Sequence, residues 1–369
     1  MITNHLAENH EVVYYAFQAY KGQEIADRFI DPSIKFYDAI EIDPDSPKGF
    51  GDAGILPAFE KEKPDVLFLY NDINVCSSIL DLVTRSKWKD FKVVLYVDIV
   101  YPWEDVNKIR KLSVMSDKFY VFLDCWKDHM DEIDVPSQVL KHGVDLERFH
   151  EIEGAKKKLG FKESDFLILN LNRNSYRKQI PVTIKAYLDF YMNHSEAKLY
   201  LSCVLENEDG FDIRRVIFTE CIRRKLDPTV IMNECVFINT MPTAMTEDMV
   251  NTLYNAADVG LNTGQGEGFG LTTIEHAYLG KPQIITGVPA LKETLGEVAL
   301  VVEPKLWITV NNQESHGGEI AAIDHLDVVA ALEKVYKKEH TGDGYKHYVE
   351  TNWSWTDKLK VLDDYFTKQ

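Results

Sequence analysis

Residues 259–286 read VGLNTGQGEGFGLTTIEHAYLGKPQIIT. Two short apolar runs, 259–262 and 283–286, are each bounded by turn residues and predict buried strands. Between them, Gly280 and Pro282 end a helix that we predict over residues 271–279. This order of strand, glycine-rich turn, helix and strand predicts a doubly wound α/β sheet.

The turn before this helix is crowded with glycines, namely Gly264, Gly266, Gly268 and Gly270. A backbone without Cβ atoms can take positive φ values and can come close to a ligand. The free N–H groups at the start of a helix and the positive end of its dipole attract anions. We therefore expect a phosphate to bind at the amides of Gly268, Phe269, Gly270 and Leu271.

Two glutamates flank this anion-binding position: Glu267 lies in the turn and Glu275 lies eight residues later, inside the helix. A carboxylate is electrostatically unsuited to bind phosphate, so we expect both to accept hydrogen bonds from hydroxyl groups. Either glutamate alone is more often an ordinary solvated charge, but the pair in this setting indicates a site. A ligand with phosphate in its middle and hydroxyls at both ends is a nucleotide sugar.

The two glutamates and the following Gly280-Lys-Pro resemble the E-x7-E motif of family 4 retaining glycosyltransferases, which have the GT-B fold. The resemblance runs from about residue 60 to the C-terminus and is most specific between residues 170 and 282. The patterns NxNRNxxRK and VLYVDxV also resemble glycosyltransferases encoded by large chlorella-type viruses. This family fold implies two Rossmann-like domains that face each other across a cleft.

The resemblance implies an acceptor-side domain over residues 1–148, completed by a C-terminal helix at 353–369, and a donor domain over 149–352. His142-Gly-Val-Asp resembles the family's linker, with histidine in place of the usual asparagine. The first strand and glycine-rich loop of a usual Rossmann-like domain are missing before the strand at 11–19. A truncated product, a start at an internal methionine and loss of the strand remain open explanations.

The resemblance also implies roles for single residues. Arg173 and Lys178 match the pair that binds the donor diphosphate, and Thr240 and Met241 occupy the position that contacts base and ribose. Glu275 is expected to bind the ribose hydroxyls and Glu267 the sugar near the reacting carbon. Asp98 stands where the family often has a histidine that faces the sugar.

Composition limits the partners. The chain has 369 residues, 45% of them hydrophobic, which is enough for two domain cores. The net charge of −18 argues against nucleic acid and anionic membranes, so an anionic donor needs a local basic cluster, which residues 173–178 supply. The five scattered cysteines indicate reduced core thiols and a cytoplasmic protein, and no apolar run is long enough to span a membrane.

No metal site is expected, because the cysteines and histidines lack zinc-binding spacing and Asp43-Pro-Asp45 fits a solvated turn. No cofactor is expected either, since the nucleotide-diphosphate sugar is the substrate. Residues 31–54, apart from a short strand at 34–37, and residues 304–318 are predicted to be irregular. A helix is predicted over 320–337.

The function that we predict is transfer of a hexose, with retention, from a donor of the GDP-mannose or UDP-glucose type to a hydroxyl of a glycan, a lipid or a protein-linked glycan. The alternatives are a weakly active or inactive nucleotide-sugar-binding protein and a phosphorylase or epimerase of the same fold. A nicotinamide oxidoreductase is disfavoured, because no G-x-G-x-x-G follows an early strand. The sequence leaves the base, the sugar, the acceptor and the oligomeric state open.

Overall fold

A computed structural model describes residues 2–17, 29–46, 50–239, 245–310, 316–355, 358–360 and 362. The helices and strands of the first half are α1 (Ile2–Ala7), β1 (Val13–Ala16), β2 (Lys35–Asp38), α2 (Ala39–Ile42), α3 (Asp52–Glu62), β3 (Val66–Asp72), α4 (Ile73–Val83), β4 (Lys92–Asp98), α5 (Val106–Val114), β5 (Lys118–Val121), α6 (Asp124–Glu132) and β6 (Gln138–Val139).

Those of the second half are α7 (Ala155–Lys158), β7 (Phe166–Asn170), α8 (Ile180–Tyr191), β8 (Ala197–Leu201), α9 (Ile213–Arg224), α10 (Pro228–Val230), β9 (Val236–Ile238), α11 (Glu247–Ala256), β10 (Val259–Asn262), α12 (Leu271–Tyr278), β11 (Gln283–Thr286), α13 (Pro289–Leu295), β12 (Leu300–Val302), β13 (Leu306–Val310), β14 (Gly318–Ala322), α14 (His325–Tyr336) and α15 (Tyr345–Trp353).

The first half contains two pieces of parallel sheet. One has the order β3-β4-β5-β6, and the other is the pair β1-β2. The central strand β4 is an unbroken apolar run whose residues 93–97 are all buried, as expected for a parallel strand that is covered on both faces. Asp98 ends this strand and lies beside Asp72, which ends β3.

The second half is built on one six-stranded sheet with the order β12-β11-β10-β7-β8-β9, in which all paired strands are parallel. From β7 the chain proceeds outward through β8 and β9, then returns to β10 and proceeds outward in the other direction. The strand order therefore reverses between β7 and β10. Open α/β sheets bind ligands beyond the carboxyl ends of the strands at such a reversal. The prediction of a doubly wound α/β fold is confirmed.

Two segments differ from the prediction. Part of the loop predicted at 304–318 is the antiparallel hairpin β13–β14, and its second strand takes up residues 318–322, so the helix predicted from 320 begins at His325. Within 31–54, the Asp38 side chain caps the short helix α2 by accepting a hydrogen bond from the Ile40 amide. Elements of only four or five residues carry too little periodicity to be recognised from sequence.

The linker histidine lies at the centre of an aromatic cluster where the two halves meet. The His142 ring stacks on Phe122 at 4.8 Å and meets Phe269 and Trp355 edge-on at 4.8 and 4.7 Å. Its Nδ1 lies 2.9 Å from the hydroxyl oxygen of Tyr96. Burial lowers the pKa of His142 to about 3, so the imidazole is neutral at physiological pH. An uncharged ring packs in this cluster without a desolvation penalty for charge.

A carboxylate of the second half caps a helix of the first. Leu123, which precedes α6, has no side chain that can cap the helix. Instead, the two oxygens of Glu293 on α13 accept hydrogen bonds from the amides of Asp124 and Cys125, at 2.9 and 2.7 Å. Glu293 thus satisfies two free N–H groups of α6 and joins the two halves.

We expect Glu293→Ala to lower the free energy of unfolding by about 1 kcal/mol, the usual cost of losing a helix N-cap. Urea unfolding followed by circular dichroism measures this change. Glu303→Ala is the matched control, because Glu303 is exposed and makes only a surface ion pair with Lys292. Equal stability losses in the two variants would contradict the capping role of Glu293.

Candidate nucleotide-sugar site

The candidate site lies beyond the carboxyl ends of the neighbouring strands β7 and β10. From β7 the chain leads to a 3₁₀ turn, Tyr176–Lys178, that carries two cations. From β10 it enters the glycine-rich turn and then α12. The topology therefore brings together two motifs that are about ninety residues apart in sequence, at the point where the strand order reverses.

Glu267 is the centre of this site and is only 6% exposed. One carboxylate oxygen forms an ion pair with the ammonium group of Lys178 and also accepts a hydrogen bond from the Asn262 amide at 3.2 Å. The other lies 2.9 Å from a guanidinium nitrogen of Arg177. The carboxylate is thus held in one orientation by three donors.

These contacts keep the buried groups ionised. Burial alone would raise the pKa of Glu267, but the charges of Lys178 and Arg177 outweigh this effect and lower the pKa to about 2. Burial lowers the pKa of Lys178 to about 8, although Glu267 favours its charged form. At neutral pH the site therefore contains a carboxylate between two cations, consistent with the rule that buried charges are paired.

Arg177 is the residue to which the sequence analysis assigned no role. Besides its ion pair with Glu267, it donates a hydrogen bond to the Gly266 carbonyl at 2.7 Å, and its own carbonyl accepts from the Gln265 amide at 2.8 Å. Arg177 therefore fixes the glycine-rich turn as well as Glu267. In the sequence, the adjacent basic residues Arg177 and Lys178 indicate a cationic site. This pattern does not show that Arg177, rather than Arg173, contacts the glycine-rich turn.

Asp98 of the first half lies against the glycine-rich turn of the second. A Cβ atom added at Gly268 would lie only 1.4 Å from Asp98 Oδ1, so this position accepts only glycine while the two halves are in contact. The Gly268 carbonyl accepts a hydrogen bond from the Trp126 indole at 3.1 Å. The two predicted catalytic residues, Asp98 and Glu267, thus belong to one site although they come from different halves.

Asp98 is partly buried, and its buried Oδ1 has no hydrogen-bond partner in the described part of the chain. Burial raises its pKa to about 7, against the opposing effect of Arg177 and with support from the negative charges of Glu104 and Glu267. Near neutral pH this group can therefore be a hydrogen-bond donor or an acceptor.

The start of α12 has the geometry expected of an anion-binding position. Gly270 precedes it with a φ of 90°, and no side chain caps the helix, so its first amides are available to a ligand. The ring of Phe269 is buried in the aromatic cluster around His142, which leaves only its backbone for a ligand. Leu271 is 40% exposed at the helix tip.

Glu275 lies in a different environment from Glu267. It is half-buried, accepts a hydrogen bond from the Tyr254 hydroxyl at 2.8 Å, and lines a cavity of about 1710 Å³ together with Leu271. Glu267 and Glu275 therefore lie in separate surroundings, one before α12 and one inside it. That they bind hydroxyls at opposite ends of one ligand stays a prediction.

Three predicted binding residues remain, namely Arg173, Thr240 and Met241. Arg173 is exposed, and its positive charge contributes to the lowered pKa of Lys178. Its side chain forms no ion pair within the described ranges, so it is available to an anion. Thr240 and Met241 lie outside the described residues. The binding roles of all three remain predictions.

An ion pair that joins the two halves had no signal in the sequence. Glu104 is fully buried, forms an ion pair with His316, and accepts a hydrogen bond from the Val100 amide at 2.9 Å. Burial raises the pKa of Glu104, and contact with Glu104 raises the pKa of His316 above its ordinary value despite burial. Because these residues are 212 positions apart, only the fold reveals the pair.

Among the residues that the structure describes, no cluster of three or more histidine, cysteine, aspartate or glutamate side chains is arranged to bind a metal ion. Within the same ranges, no helix combines the length and the apolar character needed to cross a membrane.

Comparison with known proteins places this geometry in context. No protein-family model matches the chain. The chain is 25% identical over 181 residues to an alpha-monoglucosyldiacylglycerol synthase of Streptococcus pneumoniae, a match that covers 45% of this chain and 36% of that relative. The chain thus spans about a third of the length of this curated relative.

Two solved structures share the fold over most of their length. Sucrose-phosphate synthase from Thermosynechococcus elongatus superposes with a TM-score of 0.73 at 15% identity, covering 100% of this chain and 91% of that one. Anabaena HepE in complex with UDP-glucose superposes with a TM-score of 0.65 at 12% identity, covering 87% and 83%. At these identities the likeness establishes the GT-B fold.

The raised pKa of Asp98 predicts how stability depends on pH. Between its ordinary value of 3.8 and about 7, this carboxyl is protonated in the folded state and ionised in the unfolded state. Unfolding releases a proton in that window, so this group lowers the stability as pH rises from about 4 to 7. The Asp98→Asn variant lacks this contribution. Its free energy of unfolding should therefore fall less between about pH 4 and 7 than that of the unmodified chain, and the two slopes should differ by at most about 1.4 kcal/mol per pH unit.

Urea unfolding of both proteins at pH 5, 6, 7 and 8 measures the difference. Asp128→Asn on the exposed face of α6 is the control and should follow the unmodified chain at each pH. Parallel pH profiles for Asp98→Asn and the unmodified chain would mean that Asp98 titrates normally.

Proposed function

We propose that the chain is a glycosyltransferase that moves a hexose from a nucleotide-diphosphate sugar to an acceptor hydroxyl, with retention and without a metal ion. The observation that carries this proposal is the buried Glu267 carboxylate between Arg177 and Lys178, beside the uncapped start of α12. This arrangement pairs an acceptor for sugar hydroxyls with donors for phosphate within one site.

The charges of the site favour a diphosphate. Three cations, Arg173, Arg177 and Lys178, act on this region and outnumber its two carboxyl groups, the ionised Glu267 and Asp98, whose pKa is about 7. The amides at the start of α12 add the positive end of the helix dipole. In a chain with a net charge of −18, this local positive excess attracts an anion.

In the proposed reaction the bond between the anomeric carbon and the diphosphate oxygen breaks, and its electron pair leaves with the diphosphate. The acceptor oxygen forms the new bond on the same face of the sugar, and its proton passes to the departing phosphate oxygen. Lys178, Arg173 and the amides of residues 268–271 stabilise the charge that develops on the leaving group. Fixed cations and dipoles of this kind lower the barrier because they need no reorganisation.

The carboxyl groups orient the donor. Glu267 accepts hydrogen bonds from the sugar near the reacting carbon, and Glu275 accepts them from the ribose. Asp98 binds a further sugar hydroxyl from the side of the first half. Because Asp98 lies directly against Gly268, a donor that reaches this turn must displace its carboxylate, so binding requires a shift between the halves.

The comparisons suggest which substrates to test first. A structural neighbour was solved with UDP-glucose, and the partial relative is named for a glucosylated diacylglycerol. UDP-glucose is therefore the first donor to test, with GDP-mannose in parallel, and a lipid hydroxyl is the first acceptor before glycans.

Replacing Arg173 and Lys178 together by alanine should weaken binding of a nucleoside diphosphate at least tenfold, because two phosphate-binding cations are lost. Isothermal titration calorimetry with UDP and GDP at fixed ionic strength measures this effect. Arg214→Ala with Arg215→Ala makes the same change of charge on the exposed face of α9 and should leave affinity unchanged. Unchanged affinity in the first double variant refutes the diphosphate assignment.

Glu267→Ala and the isosteric Glu267→Gln should each lower sugar transfer by at least about a hundredfold, the usual cost of removing one preorganised group that stabilises the transition state. The assay is mass spectrometry of the acceptor after incubation with each donor. Glu297→Gln, at an exposed site on the surface, should retain full activity.

The products separate transfer from its alternatives. Free sugar phosphate indicates a phosphorylase, and an isomerised donor indicates an epimerase. Intact donor together with measurable nucleotide affinity indicates a binding protein. Any of these three results with the unmodified chain would replace the proposed function.

A further inference from the structure

The cation that pairs with Glu267 stands beside a strained turn. Gln179, the residue after Lys178, has a φ of 48° and a ψ of 43°, in the left-handed region that a residue with a side chain rarely adopts. This kink lies between the 3₁₀ turn Tyr176–Lys178 and the first residue of α8. A backbone conformation of this kind persists only where the surrounding structure holds it.

Thr263 supplies contacts that hold the kink. It follows β10 directly, is 1% exposed, and its hydroxyl group donates to the carbonyl oxygens of Lys178 and Gln179, at 3.1 and 3.2 Å. These carbonyls belong to the two peptide groups on either side of the Gln179 Cα. Because φ and ψ of Gln179 describe the rotation of these two groups, one hydroxyl fixes both angles.

A chain of buried side chains orients the Thr263 hydroxyl. A hydroxyl has one proton, so Thr263, which donates to the carbonyls, accepts from the Thr183 hydroxyl, 2.8 Å away. Thr183 in turn accepts from the Asn170 amide at 2.7 Å, and the Asn170 carbonyl accepts from Asn172 at 2.7 Å. All these bonds point toward the turn, and hydrogen bonds in such a chain strengthen one another.

The kink determines where the Lys178 side chain starts. Lysine is a flexible side chain with a strongly hydrated ammonium group, so it stays buried only when its backbone is fixed and its charge is paired. The side chain of Lys178 is 10% exposed, and its ammonium group pairs with Glu267. The charged groups that act on it are Glu267, Arg177 and Arg173.

We propose that Thr263 is a positioning residue of the candidate site, whose hydroxyl holds the kink at Gln179 and thereby directs Lys178 toward Glu267. Asn170 and Thr183 act through Thr263, because they orient its hydroxyl. That Lys178 binds a diphosphate rests on the proposed function, whereas the placement of Lys178 by Thr263 does not.

Thr263→Val removes the hydroxyl and keeps the shape of the side chain. Lys178 should then leave its buried position, and its pKa should rise from about 8 toward the ordinary value of 10.5, because burial is the main cause of the lowered pKa. We expect a rise of at least about one unit. Competitive labelling of the unliganded chain with acetic anhydride, followed by mass spectrometry, measures the pKa of each lysine.

Three further variants separate positioning from a general loss of stability. Thr263→Ser keeps the hydroxyl and should leave the pKa of Lys178 near 8. Thr294→Val removes an equally buried hydroxyl, which donates to the Leu291 carbonyl within α13, and should not change Lys178. Thr183→Val breaks the chain one step earlier and should raise the pKa of Lys178 as well, so it decides the matter if Thr263→Val does not fold.

Calorimetry with UDP connects the turn to binding. Thr263→Val should weaken UDP binding at least about threefold. It should have no further effect in a chain that already carries Lys178→Ala, because Thr263 acts through Lys178. If the unmodified chain binds neither UDP nor GDP, the proposed function fails, while the labelling experiment still decides the role of Thr263.

The proposal is overturned if the pKa of Lys178 does not rise in Thr263→Val. It is also overturned if Thr263→Ser or Thr294→Val raises this pKa as much as Thr263→Val does.

Discussion

The structure around the site depends on the carboxylate of Glu267 remaining ionised inside the protein. An isolated buried carboxylate would take up a proton, because desolvation strongly disfavours its charge. Here Arg177 and Lys178 supply two opposite charges, and Asn262 supplies a further hydrogen bond. Removing either partner of such a buried pair leaves an uncompensated charge, so the three residues form one unit.

The same unit determines the shape of the glycine-rich turn. Arg177 binds both the carboxylate of Glu267 and the carbonyl of the residue before it, and thereby holds the turn that leads into α12. The first half contacts this turn through Asp98 and the indole of Trp126. The site is thus assembled from both halves, and their contact places the Asp98 carboxyl, whose pKa is about 7, in the same site as the Glu267 carboxylate, whose pKa is about 2.

The sequence predicted the elements that have a clear apolar pattern and are bounded by turn residues. Both strands beside the glycine-rich turn have the predicted bounds, and α12 begins at the predicted residue, because apolar runs and Gly or Pro stops specify them locally. The prediction of a loop was wrong for the hairpin β13–β14, because a five-residue strand such as Leu306–Val310, whose side chains are mostly exposed, carries too little periodicity to be recognised. The role of Arg177 and the pair Glu104–His316 depend on contacts that form only after the chain folds.

A crystal structure of the chain with bound UDP tests the central claim most directly. The account predicts that the diphosphate lies on the amides of residues 268–271, within hydrogen-bonding distance of Lys178, with the ribose against Glu275. A diphosphate bound away from these amides would contradict the account. So would a Lys178 ammonium group that stays on Glu267 and lies out of reach of the bound diphosphate.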